Sequence, residues 1–444
     1  MEWLFYPLHR SRLESHKVWA RNGAMVGIAV LSVVALSIRI RTIADFAAAL
    51  ATAIWVGIFV SSPGKYKRLM PLATIFGILA LVSGTRVVFW NGMPKNDFLQ
   101  FYVGAGTVGA HDFYGTAAAQ ATRESLSQEQ FPMAFVRLPF YAWLLHPLTW
   151  LSYHAAYVIW QSLSAASFIA AVLLRRSRRL AVAVASAWSI PLAVAWVRGQ
   201  DIGFVLLALT LAMFLLETGW PGAGGVVISF CAIKWNLFLM LPMFLLRFRS
   251  ARFLSGFFIG TLIIVLISFA VAGVSWPAEY LRLLQKPELS PHIDGMPTLS
   301  GLFSGISQHF YFVTTYALAT IGVATLNWFV VFRTASREYA MAATCISGLL
   351  VTPHAYPYDC ALLIPFLVAL GFKTHSLPVR YLATLVLMPV FSLLLWSHTW
   401  HTFSQCALLA LLLAMALEQK RNTKSSVRVD GGNLKCSRAV HIRD

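Results

Sequence analysis

Asp97 stands where a long apolar run ends, and an aromatic stretch with Phe98, Phe101 and Tyr102 follows it. A carboxylate beside apolar walls can reach a hydroxyl and has a pKa that burial tunes, the two properties of a general base. Further polar groups interrupt later apolar runs. The sequence VRGQD places Arg198, Gln200 and Asp201 between two of them, Lys234 lies in the middle of another, and TPHAYPYD carries His354, Tyr356, Tyr358 and Asp359 between Pro353 and Pro357. Arg198, Lys234 and His354 on one side of an apolar bundle are costly unless an anion binds there, and a phosphate is the expected anion. Plainer readings stand beside these: Asp97 as a solvated helix-end carboxylate, Arg198 as a snorkelling anchor, His354 as a packing residue and Asp359 as a helix N-cap.

Other chemistries leave no trace. There is no Asp-x-Asp, no His-Glu-x-x-His and no Walker-type phosphate loop, and His398 and His401 read as an interfacial aromatic pair. Cys231, Cys345, Cys360 and Cys406 fall in or beside apolar runs and Cys436 in a basic tail, so neither a disulfide framework nor a zinc site is indicated.

The elements that must position these residues are membrane helices. Of the 444 residues 58% are hydrophobic and 12% charged, against about 45–50% and about 25% in soluble domains, which excludes an ordinary water-soluble enzyme. A bilayer core takes about 20 apolar residues per helix. Spans are expected near 22–38, 43–60, 71–90, 153–174, 180–197, 202–217, 253–273, 310–332, 339–353, 359–372, 381–397 and 402–417. The stretch 223–247 reads as two half-helices, about 223–234 rising and 236–247 returning, with Lys234 at the turn; one long helix with Lys234 snorkelling is the alternative. The fold class is therefore an all-α polytopic membrane protein of about 12–14 membrane segments.

The net charge of +18 would, by itself, suggest a nucleic-acid partner. It is better read as topology. Lys and Arg of short loops favour the cytoplasmic side. With the N-terminus inside and 223–247 split, 25 of the 35 Lys and Arg fall on inner segments; unsplit, RFRSAR would land outside. The expected organisation is a cytoplasmic basic N-terminus over 1–21, a transmembrane domain over 22–417 and a cytoplasmic disordered basic tail over 418–444. The N-terminal apolar run lacks a small-residue cleavage site and reads as a retained anchor. Outward loops at about 91–152 and 274–309 are long enough to carry function, and FPMAFVRLPFYAWLLHPLTWL in the first suits an interfacial helix. Arg137, Glu279, His292 and Asp294 are the candidate ligand contacts in these loops.

The order of motifs resembles the polyprenyl-phosphate-sugar-dependent glycosyltransferases of family 87, in the GT-C superfamily, which includes bacterial membrane α-mannosyltransferases. The resemblance spans about residues 90–370. It rests on Asp97-Phe98 with Tyr102, Phe113-Tyr114, Leu138-Pro139 through Pro147-Leu148 to Trp160, and Gly199-Gln200. It continues through Gly225 to Lys234 with an Arg-rich turn, Pro297 to Gly301, and Pro353-His354 with Tyr358-Asp359. The chain departs from the family pattern at Leu138 (usually Pro), Asp201 (often Asn), Trp235 (usually Pro) and in two added N-terminal helices.

The resemblance implies a GT-C-like bundle and a hexosyltransferase, with mannose as the leading sugar, acting at the outer face of the cytoplasmic membrane. Asp97 would be the base of an inverting displacement. Lys234, Arg198, His354 and Gln200 would hold the donor phosphate, and Tyr102, Arg137, Tyr358 and Asp359 would bind substrate. The expected partners are the bilayer, a polyprenyl-phosphate sugar and a glycan or glycolipid acceptor, with no nucleic acid, cofactor or metal. A transporter or flippase for a lipid-linked or anionic solute is the alternative, against which stands the lack of an internal two-fold repeat.

Overall fold

A computed structural model describes residues 97–110, 112–115, 134–175, 182–183, 185–186, 189–286, 293, 295–395 and 400–432. The expected N-terminal basic segment, the three spans between 22 and 90, residues 433–444, His292, Asp294 and His398 lie outside them. The described regular structure is helical throughout, with no strand among the described residues. In chain order the helices are α1 Phe98–Gly106, α2 Pro139–Leu145, α3 Tyr153–Leu174, α4 Ile190–Val197, α5 Ile202–Glu217, α6 Pro221–Ser229, α7 Leu241–Arg247 and α8 Ala251–Ala272. Then come α9 Trp276–Leu284, α10 Leu299–Leu302, α11 His309–Arg333, α12 Arg337–Val351, α13 Ile364–Lys373, α14 Leu377–Leu387, α15 Pro389–Leu395 and α16 His401–Gly432.

The apolar faces are arranged for lipid. Tyr153–Leu174, Ala251–Ala272, His309–Arg333 and His401–Asn422 are long and apolar enough to cross a membrane. The outer faces of α3, α8 and α11 leave Ile169, Leu173, Phe258, Leu262, Leu266, Leu318 and Ile321 exposed. Water does not tolerate so continuous an apolar surface, whereas a bilayer covers it. The centre of the bundle is α12, in which every residue from Glu338 to Val351 is buried. Its small residues Ala340, Ala342, Ala343, Ser347 and Gly348 let neighbours approach closely: a Cβ on Gly348 would meet the Leu237 carbonyl oxygen at 2.0 Å.

The 223–247 stretch turns back on itself as its charges require. A Cβ on Gly256 would lie 2.0 Å from the Gly222 carbonyl oxygen, and one on Gly260 would crowd Val226 and Ser229. The starts of α6 and α8 are thus side by side and the two helices run parallel, so the chain between them must return. A 3₁₀ segment, Phe230–Phe238, makes the reversal, with Lys234 non-helical at φ −126° and ψ 54°. From there α7 runs beside α12 until Arg247 donates to the Thr334 carbonyl, just before α12 begins. Overpacking at such a contact costs about 1–3 kcal/mol or more. Gly256→Leu is expected to lower the detergent-solubilised melting temperature sharply, while the same change at Gly322 of α11, where nothing lies within 4 Å, leaves it nearly unchanged.

The bundle has two chemically different ends. One gathers Arg175 with Glu338, Lys373 with Glu338 at 2.8 Å, and Arg337 on the Leu216 carbonyl. There Glu418 is buried and accepts from Tyr339, Thr374 and the backbone N–H groups of His375 and Ser376. Helix α16 runs on past Leu417, to Gly432, and its first turn beyond that point is pinned by the Glu418 carboxylate. The other end holds the turns between α4 and α5, at the α6–α7 reversal and after α12. The first expected interfacial segment is folded as α2 and the 3₁₀ turn His146–Trp150, with Phe140 and Tyr141 buried and Trp143 and Trp150 exposed.

Candidate active site

Two aspartates occupy helix N-cap positions at this end, and neither caps its helix. Asp97 precedes α1 and Asp201 precedes α5, positions where the carboxylate ordinarily accepts the helix's first free N–H groups, yet neither makes a side-chain cap bond. Both are drawn inward instead. The turn between them is rigid. Trp160 of α3 donates to the Gly199 carbonyl at 2.9 Å, Tyr157 to that of Val197 and Gln161 to that of Trp196. Gly199 has φ +67°, a conformation glycine adopts without strain, and a Cβ there would press on Phe98 at 3.0 Å. The Asp97 N–H donates to the Arg198 carbonyl at 2.8 Å, which ties the start of α1 to the VRGQD turn.

From Asp97 inward the polar groups form a continuous chain. Gln200 Nε2 donates to Asp97 Oδ2 at 2.6 Å, and Gln200 Oε1 accepts from Lys234 Nζ at 3.3 Å. Lys234 also donates to Asp359 Oδ1 at 2.6 Å and pairs with Asp201 Oδ1 at 3.4 Å, with Nζ 5.1 Å from the centre of the Tyr358 ring. Arg137 grips Asp201 with both prongs, Nε to Oδ2 at 2.8 Å and a terminal nitrogen to Oδ1 at 3.3 Å. Asp359 Oδ2 accepts the Tyr356 N–H at 2.9 Å. Tyr356 is the N-cap of the 3₁₀ turn Pro357–Leu363 and Asp359, three positions on, closes a capping box, which corrects the N-cap reading of Asp359.

The charges nearly cancel. Three carboxylates, Asp97, Asp201 and Asp359, face three cations, Arg137, Arg198 and Lys234. Burial would raise the Asp201 carboxyl, but Arg137 and Lys234 outweigh it and hold it below the usual carboxylate range. For Asp97 the balance goes the other way: burial raises it, and the Gln200 hydrogen bond with Arg198, Lys234 and Arg137 only partly offsets that. Burial pushes His354 down to about 4, so its imidazole is neutral at pH 7 and meets an anion only as a hydrogen-bond donor.

The sequence-selected residues thus divide by position. Asp97, Gln200, Lys234, Asp359 and Arg137 are joined in one network, with Tyr358 beneath Lys234. Lys234 has three N–H bonds and three partners, so it offers a phosphate no idle donor. Arg198 is exposed and makes no ion pair within 4 Å among the described residues. His354 packs edge-on against Tyr356 with ring centres 4.7 Å apart. Tyr102 donates its hydroxyl to the Leu151 carbonyl at 2.8 Å, tying α1 to the start of α3. Among the described residues no cluster of three His, Cys, Asp or Glu is disposed around a metal position.

Asp201 is the residue that sequence reasoning undervalued: fully buried, it is the hub joining Arg137 to Lys234. An aromatic wall was also missed. Trp235 Nε1 donates to Tyr280 of α9 at 2.9 Å, the Tyr114 ring packs tilted against Tyr280 with centroids 5.5 Å apart, and the Tyr114 hydroxyl donates to the Arg137 carbonyl at 2.8 Å. The signal was present in the two long loops at about 91–152 and 274–309, where aromatic residues recur among polar ones.

Residues 135–353 match the family model of glycosyltransferase family 87. The match takes in Arg137, the VRGQD turn and the Lys234 reversal, and ends one residue before His354; Asp97 precedes it. No curated protein matches the chain, and no solved structure does. The family match agrees with the motif resemblance and, with the apolar helices, indicates a membrane glycosyltransferase.

Proposed function

We propose that this membrane glycosyltransferase moves a hexose, with mannose the first to test, from a polyprenyl-phosphate donor to a hydroxyl of a glycan or glycolipid. The reaction is placed at the outer face of the cytoplasmic membrane, with both termini cytoplasmic and the Glu338–Glu418 end of the bundle inward. The acceptor oxygen attacks the anomeric carbon as its proton passes to Asp97, and the bond to the phosphate oxygen breaks with its electron pair leaving on polyprenyl phosphate. One displacement inverts the anomeric centre. The leaving phosphate gains charge as the bond breaks, so a cation already in place stabilises the transition state more than the ground state. Arg198, exposed beside Asp97 and outside the ion-pair network, is the cation best placed for that phosphate, with His354 as a neutral donor.

The observation that carries this reading is the carboxylate of Asp97. It is half-buried, fixed through Oδ2 by Gln200, and makes no hydrogen bond through Oδ1 among the described residues. The polar network also lies at one end of the bundle, which supports one-sided chemistry over alternating access. The test is incubation of the purified chain with labelled polyprenyl-phosphate hexoses and a membrane lipid extract, followed by identification of the product and its anomeric configuration. A glycosylated product of inverted configuration is expected. Retention of configuration, or transfer only from a nucleotide sugar, refutes the reading.

A further inference from the structure

Gln200 is 2% exposed and sits between the two charged groups that matter most to the site, Asp97 and Lys234. A carboxamide can be turned either way round, and its surroundings decide which. Here they leave one choice. The Lys234 ammonium can only donate, so it requires Oε1, and this directs Nε2 at Asp97 Oδ2, 2.6 Å away. Lys234 is in turn held by Asp359 at 2.6 Å. The backbone of Gln200 is also fixed, its N–H donating to the Ala195 carbonyl at 2.8 Å.

Resting on the glycosyltransferase reading above, we propose that Gln200 is a positioning residue for the base: oriented by Lys234, its amide binds Asp97 Oδ2, keeps the carboxylate ionised and leaves Oδ1 to the acceptor hydroxyl. This departs from a role in holding the donor phosphate. Buried at the inner side of Asp97, the amide has its nitrogen and its oxygen each engaged by protein, the first by Asp97 and the second by Lys234. Asp97 is also faced by Arg198 from the end of α4, by Arg137 and Lys234 through space, and by the phenols of Tyr356 and Tyr358. Among the influences that oppose its burial, the Gln200 hydrogen bond is the largest, ahead of the three cations.

The test replaces Gln200 by Met, which keeps the length and removes the amide, and by Glu, which keeps an oxygen for Lys234 and removes the donor to Asp97. With labelled polyprenyl-phosphate mannose and a membrane lipid extract, the acid limb of kcat/KM is expected to move up by about one pH unit in Gln200→Met. In Gln200→Glu it moves further, because two carboxyls then share one site. Transfer falls about tenfold below the limb and recovers to within about threefold at alkaline pH, with donor KM little changed. An unmoved limb with donor KM raised tenfold, or a uniform loss at every pH, overturns the proposal. A second measurement needs no substrate: infrared titration of the Asp97 carboxyl, assigned by its disappearance in Asp97→Asn, must move upward in both Gln200 variants. If the wild-type chain transfers no sugar from a polyprenyl phosphate, the functional reading fails and the infrared titration alone decides the role of Gln200.

Discussion

Asp97→Asn is expected to lower sugar transfer by at least the factor of about 10²–10⁴ that a positioned base contributes, while leaving the fold intact. The substitution is close to isosteric, and the Asn oxygen can still accept the Gln200 N–H that Asp97 Oδ2 accepts at 2.6 Å. What it cannot do is take a proton. The wild-type pH profile follows from the same carboxylate. A base works only when ionised, and burial raises the Asp97 pKa from its ordinary 3.8. Transfer should therefore be lost as the pH falls through a value above the usual Asp range, and no such limb should remain in the residual activity of Asp97→Asn. The measurements are initial rates across pH for both proteins, with melting temperature and donor affinity as controls. Turnover within tenfold of wild type in Asp97→Asn, at unchanged affinity, would assign the base elsewhere.

How far the sequence could lead to this site depended on the physics behind each residue. Membrane spans are legible because lipid leaves backbone polar groups no partner outside the helix, and expected spans such as 202–217 and 153–174 coincide with Ile202–Glu217 and Tyr153–Leu174. The reversal at Lys234 was legible for the same reason: a charge in the middle of an apolar run, with arginines that must reach the correct side. Partner choice was not legible. Arg137 lies 64 residues from Asp201, and Lys234 lies 125 from Asp359, so the pairing depends on how turns meet in space. N-cap aspartates illustrate the limit most plainly. Asp97 and Asp201 each precede a helix, where local rules assign them to capping, and tertiary ion pairs and hydrogen bonds override those rules. Glu418 misled in the opposite sense, because a polar, basic composition concealed a buried carboxylate with four hydrogen-bond donors.

Lys234→Met should cost both stability and activity, and the two losses should be separable. The ammonium is 5% exposed and balances Asp359 directly and Asp201 together with Arg137. Removing one member of a buried pair leaves an uncompensated charge, a penalty of about 3–5 kcal/mol. Lys234→Met is thus expected to unfold at a markedly lower temperature in detergent. Adding Asp359→Asn removes the stranded charge, and the Asn oxygen can still accept the Tyr356 N–H that Asp359 Oδ2 accepts. Arg137 continues to neutralise Asp201 through its two-pronged contact. The double variant should recover most of the lost melting temperature. It should not recover transfer, because Gln200 no longer has a cation to hold its amide one way round, and Asp97 loses both that donor and the field of Lys234. Equal instability in the single and double variants would show that charge balance does not hold this cluster together. Restored transfer in the double variant would show that Lys234 serves the fold alone, and the chain from Lys234 through Gln200 to Asp97 would then have no catalytic meaning.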